Sequence, residues 1–224
     1  MIKRINIERQ IDKDKNGKWS FVSANDILLT KFICSLLNHI ITYIPAAAAE
    51  VKTIGTPFDL LLFIQSIAVQ CISKSHTQFL LTLLVSAKDK LKKELQQRGA
   101  VLILAQILKH TNTDVKRDTI ITIRHLLILK KSEGEKGQQH PLYQMMKASG
   151  CLSHIFSTCF IEKQINNEIK LNAAMVLGFL NQEQEMEARM RHAVLDQLKQ
   201  GLYSQNEELN CMILRIIYGL IANF

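Results

Sequence analysis

Turn-forming residues are scarce in this chain, with nine glycines and three prolines among 224 residues. A β-sandwich or an α/β enzyme of this length needs many tight turns, so the shortage favours helices joined by short polar loops. Aromatic residues are also few, at 6%. Leu, Ile, Lys, Gln and Ala are plentiful instead, the composition of a helical solenoid or bundle. Cysteines stand at 34, 71, 151, 159 and 211, an odd set without C-x-x-C spacing. Most fall inside apolar helical patterns, which reads as buried thiols in a reducing compartment. No long uninterrupted apolar run is present. The most apolar stretch, 27–49, is broken by Lys31 and by Asn38-His39, whereas a membrane span needs about 20 apolar residues. The first nine residues are charged throughout and contain no apolar signal core. The expectation is an intracellular, cytoplasmic chain without a membrane span.

With 47% hydrophobic and 21% charged residues, the composition is that of a globular chain and argues against global disorder. The formal net charge of +8 is diffuse. It suits acidic protein tails, nucleic acid or an anionic surface, and equally simple solubility.

A repeat is visible in the second half. Three segments align without gaps: Val115-Lys-Arg-Asp-Thr-Ile120-Ile-Thr-Ile123-Arg-His-Leu126, Ile169-Lys-Leu-Asn-Ala-Ala174-Met-Val-Leu177-Gly-Phe-Leu180 and Leu209-Asn-Cys-Met-Ile-Leu214-Arg-Ile-Ile217-Tyr-Gly-Leu220. Apolar residues recur in steps of five, three and three, which keeps them near one helical face. A shorter helix precedes each segment, over 99–108, 150–159 and 192–201. Gly150 and His192 lie 42 residues apart, and Ile169 and Leu209 lie 40 apart. Gly99 to Gly150 is longer, at 51, and the excess falls in a Gly-, Ser- and Pro-bearing stretch that reads as a loop inserted at 130–144.

A short helix opened by Gly-Ala or Gly-Cys, a polar break, then a long helix patterned like Asn172-Ala-Ala-Met-Val-Leu-Gly-Phe-Leu180 resembles the armadillo repeat. The motif is loose, and HEAT-like helical pairs are its near neighbour. The resemblance covers about 90–224 well and the first 90 residues only by analogy. It implies an all-α, armadillo/HEAT-like α–α superhelix, a short solenoid. Importin-α-like members carry a Trp and an Asn on the third helix of each repeat to grip an extended peptide. Here the matching Trp positions hold Ile121, Met175 and Arg215, and the Asn positions hold His125, Phe179 and Gly219. A nuclear-import receptor of that type is therefore not expected, nor is a simple backbone-clamping groove.

The first half also reads as helix. Ser23-Ala-Asn25-Asp26 offers an N-cap before a helix over 27–43. Pro57 suits the first turn of a helix running to about Ile72. Ser75-His-Thr77 is positioned to cap a long helix over 79–97, heavily charged from Lys88 onward. The stretch 45–56 reads as a helical turn or a linker. The organisation expected is an irregular segment or hairpin over 1–22, a helical part over 23–98, and armadillo-like repeats over 99–224. The apolar end 216–224 is expected either to be buried against something else or to belong to a truncated chain.

Four features invite chemistry. Asp12-Lys13-Asp14-Lys15-Asn16-Gly17 matches the first half of an EF-hand loop, but Ser23 stands where the bidentate Glu belongs. Asn16-Gly17 between apolar alternations favours a hairpin or simple turn. Cys151, His154 and Cys159 lack the further ligands that zinc wants and coincide with the repeat's core face. The seven histidines are scattered, and no nucleophile elbow, zincin, Walker or dinucleotide motif is present. No enzyme, metal or cofactor is expected. Basic residues gather at Lys88, Lys90, Lys92, Lys93 and Arg98, then at Lys109, Lys116, Arg117, Arg124, Lys130 and Lys131. Without interleaved aromatics they read as a solvated face more than a nucleic-acid stripe.

The function expected is a non-catalytic protein-binding scaffold or adaptor subunit. Its contacts to an acidic or extended protein would come from Arg117, Arg124, His125, Lys170, Arg215 and Tyr218 on the third helices. The alternatives are a structural component of a cytoskeletal or axonemal complex meeting acidic tubulin surfaces, a nucleic-acid-binding helical-repeat protein, and an Hsp70 cofactor of armadillo type. The oligomeric state is left open by the sequence.

Overall fold

The computed structural model describes residues 22–53, 55–128, 140–162, 165–182 and 184–222. The turn at 12–17 and most of the insertion at 130–144 lie outside them. Among the described residues the chain is all-α, with twelve α-helices and no strand. They are α1 (Ala24–Tyr43), α2 (Pro45–Thr53), α3 (Thr56–Ser66), α4 (Lys74–Val85), α5 (Asp89–Gln97), α6 (Ala100–Ile107), α7 (Thr113–Leu127), α8 (Tyr143–Ala148), α9 (Cys151–Phe156), α10 (Asn167–Leu180), α11 (Ala188–Gly201) and α12 (Glu207–Ile221). A 3-10 turn, Val69–Cys71, follows α3, and α9 runs on as a π-turn, Ser157–Ile161.

Local chemistry sets the helix starts. Ser23 caps α1 in a reciprocal box: its hydroxyl accepts from the Asp26 N–H at 3.2 Å, and Asp26 Oδ2 accepts from the Ser23 N–H at 3.1 Å. Asn112, Asn166 and Asn206 cap α7, α10 and α12 through their side-chain oxygens. The same residue type therefore opens all three segments aligned in sequence.

Glycine sets a second repeated feature. Gly55, Gly99 and Gly150 have φ of 84°, 76° and 72°, in the left-handed region that side chains disfavour. Each donates its N–H to the carbonyl three residues back, closing α2, α5 and α8 at Lys52, Gln96 and Lys147. Each then accepts from the first turn of α3, α6 or α9. One residue thus ends a helix and opens the next at an angle, in the same way three times.

The longer helices pack on one another in order: α1 on α4, α4 on α7, α7 on α10, and α10 on α12. Alongside them α3 meets α4 and α6, α6 meets α7 and α9, and α11 packs on both α10 and α12. The centre of this arrangement is α10, where Ala173, Ala174, Met175, Val176 and Leu177 are all fully buried. A helix covered on every side must be apolar all round, which explains why its sequence shows so weak an amphipathic stripe.

Several expectations are corrected. The helix over 79–97 is two helices, α4 and α5, separated at Ser86 to Lys88, and its cap is Ser73. The stretch after Pro45 is a helix, not a linker. In α12 the buried residues are Ile213, Ile216 and Leu220, while Leu214, aligned with buried Ile120 and Ala174, is 54% exposed. Their steps of three and four follow the helical period more closely than five, three and three, and packing on α10 selects that face. Cys34, Cys151 and Cys159 are buried, but Cys71 and Cys211 are exposed.

Candidate functional site

The six residues singled out from sequence fall into three environments. Arg117 is already paired. Its Nε and Nη2 donate to Asp118 Oδ1 at 3.2 and 3.0 Å, and its Nη1 lies 3.4 Å from Asp114 Oδ1. Asp118 is 2% exposed and also accepts from the Thr77 hydroxyl of α4 at 3.4 Å. Burial pushes the Asp118 carboxyl up against the opposing pull of Arg117, whereas the bond to Asp118 raises Arg117. This pair ties α4 to α7 and leaves little of Arg117 free for a ligand.

Arg124 and His125 are different. They occupy the last turn of α7, and Arg124 reaches across to α10, where its Nη1 lies 4.0 Å from Met175 Sδ. Its Nη2 lies 3.2 Å from His125 Nε2. Since arginine only donates, that ring nitrogen accepts and the imidazole is neutral. Desolvation, reinforced by the charges of Arg124 and Lys92, pushes His125 down to about 4.

Lys170 is half-buried on α10. Arg215 and Tyr218 lie on the outer face of α12, with Tyr218 77% exposed beside exposed Leu214 and Ile221. The six residues therefore differ in exposure and in the partners they already have. On α10, at the positions aligned with the importin-type Trp and Asn, Met175 is buried beneath Arg124, and Phe179 is 6% exposed against the His140 ring, 5.5 Å away. At the opposite end, α1 exposes Leu28, Leu29, Phe32 and Leu36.

Several basic residues are taken up within the fold. Lys116 is buried and bonded to Glu162 beyond α9, and Lys74 holds Asp114 at 2.9 Å. Lys92, counted from sequence among solvated charges, is 8% exposed. Its place three residues before fully buried Leu95 was the available signal. Cys151 and Cys159 are core residues, and among the described residues no three His, Cys, Asp or Glu side chains group to hold a metal ion. An open groove of about 320 Å³ runs between α3 and α6, lined mainly by Ile64, Ile67, Ile72, Leu102 and Ile103.

Comparisons with protein-family models, with curated proteins and with solved structures find no match in any of the three. The class defined by the fold is thus an all-α protein. No helix among the described residues is long and apolar enough to cross a membrane.

Proposed function

We propose that this chain is a non-catalytic, protein-binding scaffold or adaptor built as a short armadillo- or HEAT-like solenoid. The observation that carries the reading is the threefold recurrence of one unit. A short helix ends at a left-handed glycine (Gly55, Gly99 or Gly150), a second helix follows, and then comes a helix (α4, α7 or α10) packed on its counterpart in the previous unit. Stacked units of this kind present an extended face of side chains rather than an enclosed pocket, which suits binding of another macromolecule more than catalysis. An acidic or extended protein in the cytoplasm is the partner we assign. Its contacts would fall on Arg124 and His125, and on Arg215 and Tyr218 of α12. Neutralisation of Lys74, Lys116 and Arg117 by carboxylates of the chain itself weighs against a phosphate-tracking stripe.

The test is affinity capture from native lysate at low and high salt, read by cross-linking mass spectrometry. A stoichiometric protein that survives high salt and cross-links near α7 or α12 supports the scaffold. Recovery of nucleic acid alone, released as salt rises, overturns it and makes the remaining basic residues a nucleic-acid site.

A further inference from the structure

Three cations of α4 and α7 are held by carboxylates of the chain itself. Lys74 pairs with Asp114, Lys116 with Glu162, and Arg117 with Asp114 and Asp118. Lys92 and Arg124 have no carboxylate within salt-bridge distance among the described residues, although Lys92 is 8% exposed and Arg124 is largely covered. Both act on the same neighbour, His125, whose Nε2 accepts from Arg124 Nη2 at 3.2 Å. The nearest acidic groups act from further off, Asp89 of α5 on Lys92 and Glu168 of α10 on Arg124. The helices α4 and α6, also packed on α7, bring no charge to bear on His125.

We propose that Lys92, Arg124 and His125 form a recognition site for one carboxylate of an acidic peptide segment. The inference rests on the protein-binding reading above and names the chemistry that the partner brings. Cations held out of water without a counter-ion are costly, and a carboxylate arriving between them recovers that cost as charge-assisted hydrogen bonds. The guanidinium fork of Arg124 suits a planar carboxylate. Arg124 and His125 stand in the last turn of α7, where the carbonyl ends carry partial negative charge. That field admits a monoanion more readily than a phosphate dianion. Burial is the main reason that His125 stays unprotonated, and the Arg124 and Lys92 charges add to it; a bound carboxylate offsets those two charges, so the imidazole takes up protons more readily in the complex.

The probe is a fluorescein-labelled hexaglutamate peptide, titrated against the purified chain at low ionic strength and read by anisotropy. Arg124→Gln and Lys92→Gln each weaken binding by roughly tenfold, the effect of one lost charge-assisted bond. Arg124→Lys retains part of the affinity. Lys93→Gln, at an exposed lysine of the same α5, alters net charge equally and leaves binding nearly unchanged. In the wild-type chain, proton NMR shows the His125 titration moving up from about 4 at saturating peptide. That measurement and Lys92→Gln decide the matter if Arg124→Gln fails to fold. Equal weakening by Lys93→Gln and Arg124→Gln, or an unmoved His125 titration, overturns the site. So does a His125 shift caused by inorganic phosphate and not by hexaglutamate. A protein captured from lysate as well by Arg124→Gln as by wild type overturns this inference and leaves the scaffold standing. Hexaglutamate bound here with no protein partner found anywhere does the reverse.

Discussion

Gly178 of α10 lies so close to Ile216 of α12 that a Cβ on the glycine would stand 2.6 Å from the Ile216 Cγ2 methyl. The close approach of these two helices therefore depends on an absent side chain. Ile216 is 1% exposed and β-branched, so its methyl has little room to turn away. Gly178→Ala is expected to destabilise the fold by about 1–3 kcal/mol, the usual cost of overpacking. Combining it with Ile216→Ala, which removes the obstructing methyl, should cost less than the sum of the two single changes. Urea unfolding of the two single variants and the double variant measures this. Strict additivity would mean that the helices are not held at this distance.

The left-handed glycines give a second prediction with a different cause. At Gly99 and Gly150 a Cβ would meet nothing within 4 Å, so no clash opposes a side chain there. The obstacle is the backbone itself, with φ of 76° and 72°. Gly99→Ala and Gly150→Ala should each lose about 1–2 kcal/mol, the ordinary penalty of that conformation for an L-residue. Asn, which tolerates it better, should lose less at both positions. Thermal unfolding separates the two substitutions. If Asn is as costly as Ala, the φ values are not the cause.

Much of this architecture is written in the sequence in legible form. Ile120, Ile123 and Leu126, like Ala174, Leu177 and Leu180, are buried as their spacing implies. The same alignment misplaced Leu214, because a twelve-residue pattern fixes a face only to within one helical step, and α10 decides which neighbouring row is covered. The corresponding unit in the first half is hidden in the sequence for a related reason. Gly55 marks it as surely as Gly99 does, but the residues after Gly55 are Thr-Pro in place of Ala-Val, and a left-handed φ leaves no trace in composition. The candidate site was less legible. Arg117 and Arg124 look alike in sequence, and only the neighbouring Asp118, Thr77 and Met175 separate a spent cation from a free one. Lys92 could be found only from its phase relative to Leu95.

Buried histidines set an acid limit on stability. His76 is fully buried on α4, where its Nδ1 accepts from the Ser73 N–H at 3.1 Å and its Nε2 has no partner. Desolvation, with a contribution from the Lys31 charge, pushes it down from 6.5 to about 4. As pH falls, the unfolded chain therefore takes up a proton first. Stability from this group is complete above about pH 6.5, declines between there and about 4, and levels off below. A shift of this size corresponds to roughly 3 kcal/mol at its limit. His125 adds in the same direction over the same range. His76→Asn keeps an oxygen close to where Nδ1 accepts and removes the titration, so it should flatten the decline without abolishing it. Urea midpoints of both proteins measured from pH 7 to pH 4 test this, and parallel curves would assign the acid sensitivity elsewhere.

The cysteines should divide by reactivity as they divide by burial. Cys71 and Cys211 are exposed, whereas Cys34, Cys151 and Cys159 are buried. Burial pushes the Cys34 thiol up to about 12. It pushes Cys159 up to about 11, although the contact with the Thr158 hydroxyl at 3.8 Å pulls slightly the other way. Only a thiolate attacks a disulfide reagent, so these two are protected by charge as well as by access. Under native conditions at mildly alkaline pH, two thiols should react rapidly with an aromatic disulfide, and all five should react in denaturant. Because Cys211 lies on α12 one turn before exposed Leu214 and Arg215, its rate also reports whether that outer face is covered. A bound partner that slows Cys211 and leaves Cys71 unchanged would locate contact at α12, beside Arg215 and Tyr218. Equal rates at both thiols in the presence of a stoichiometric partner would remove α12 from the binding surface and leave Arg124 and His125 as the contact to pursue.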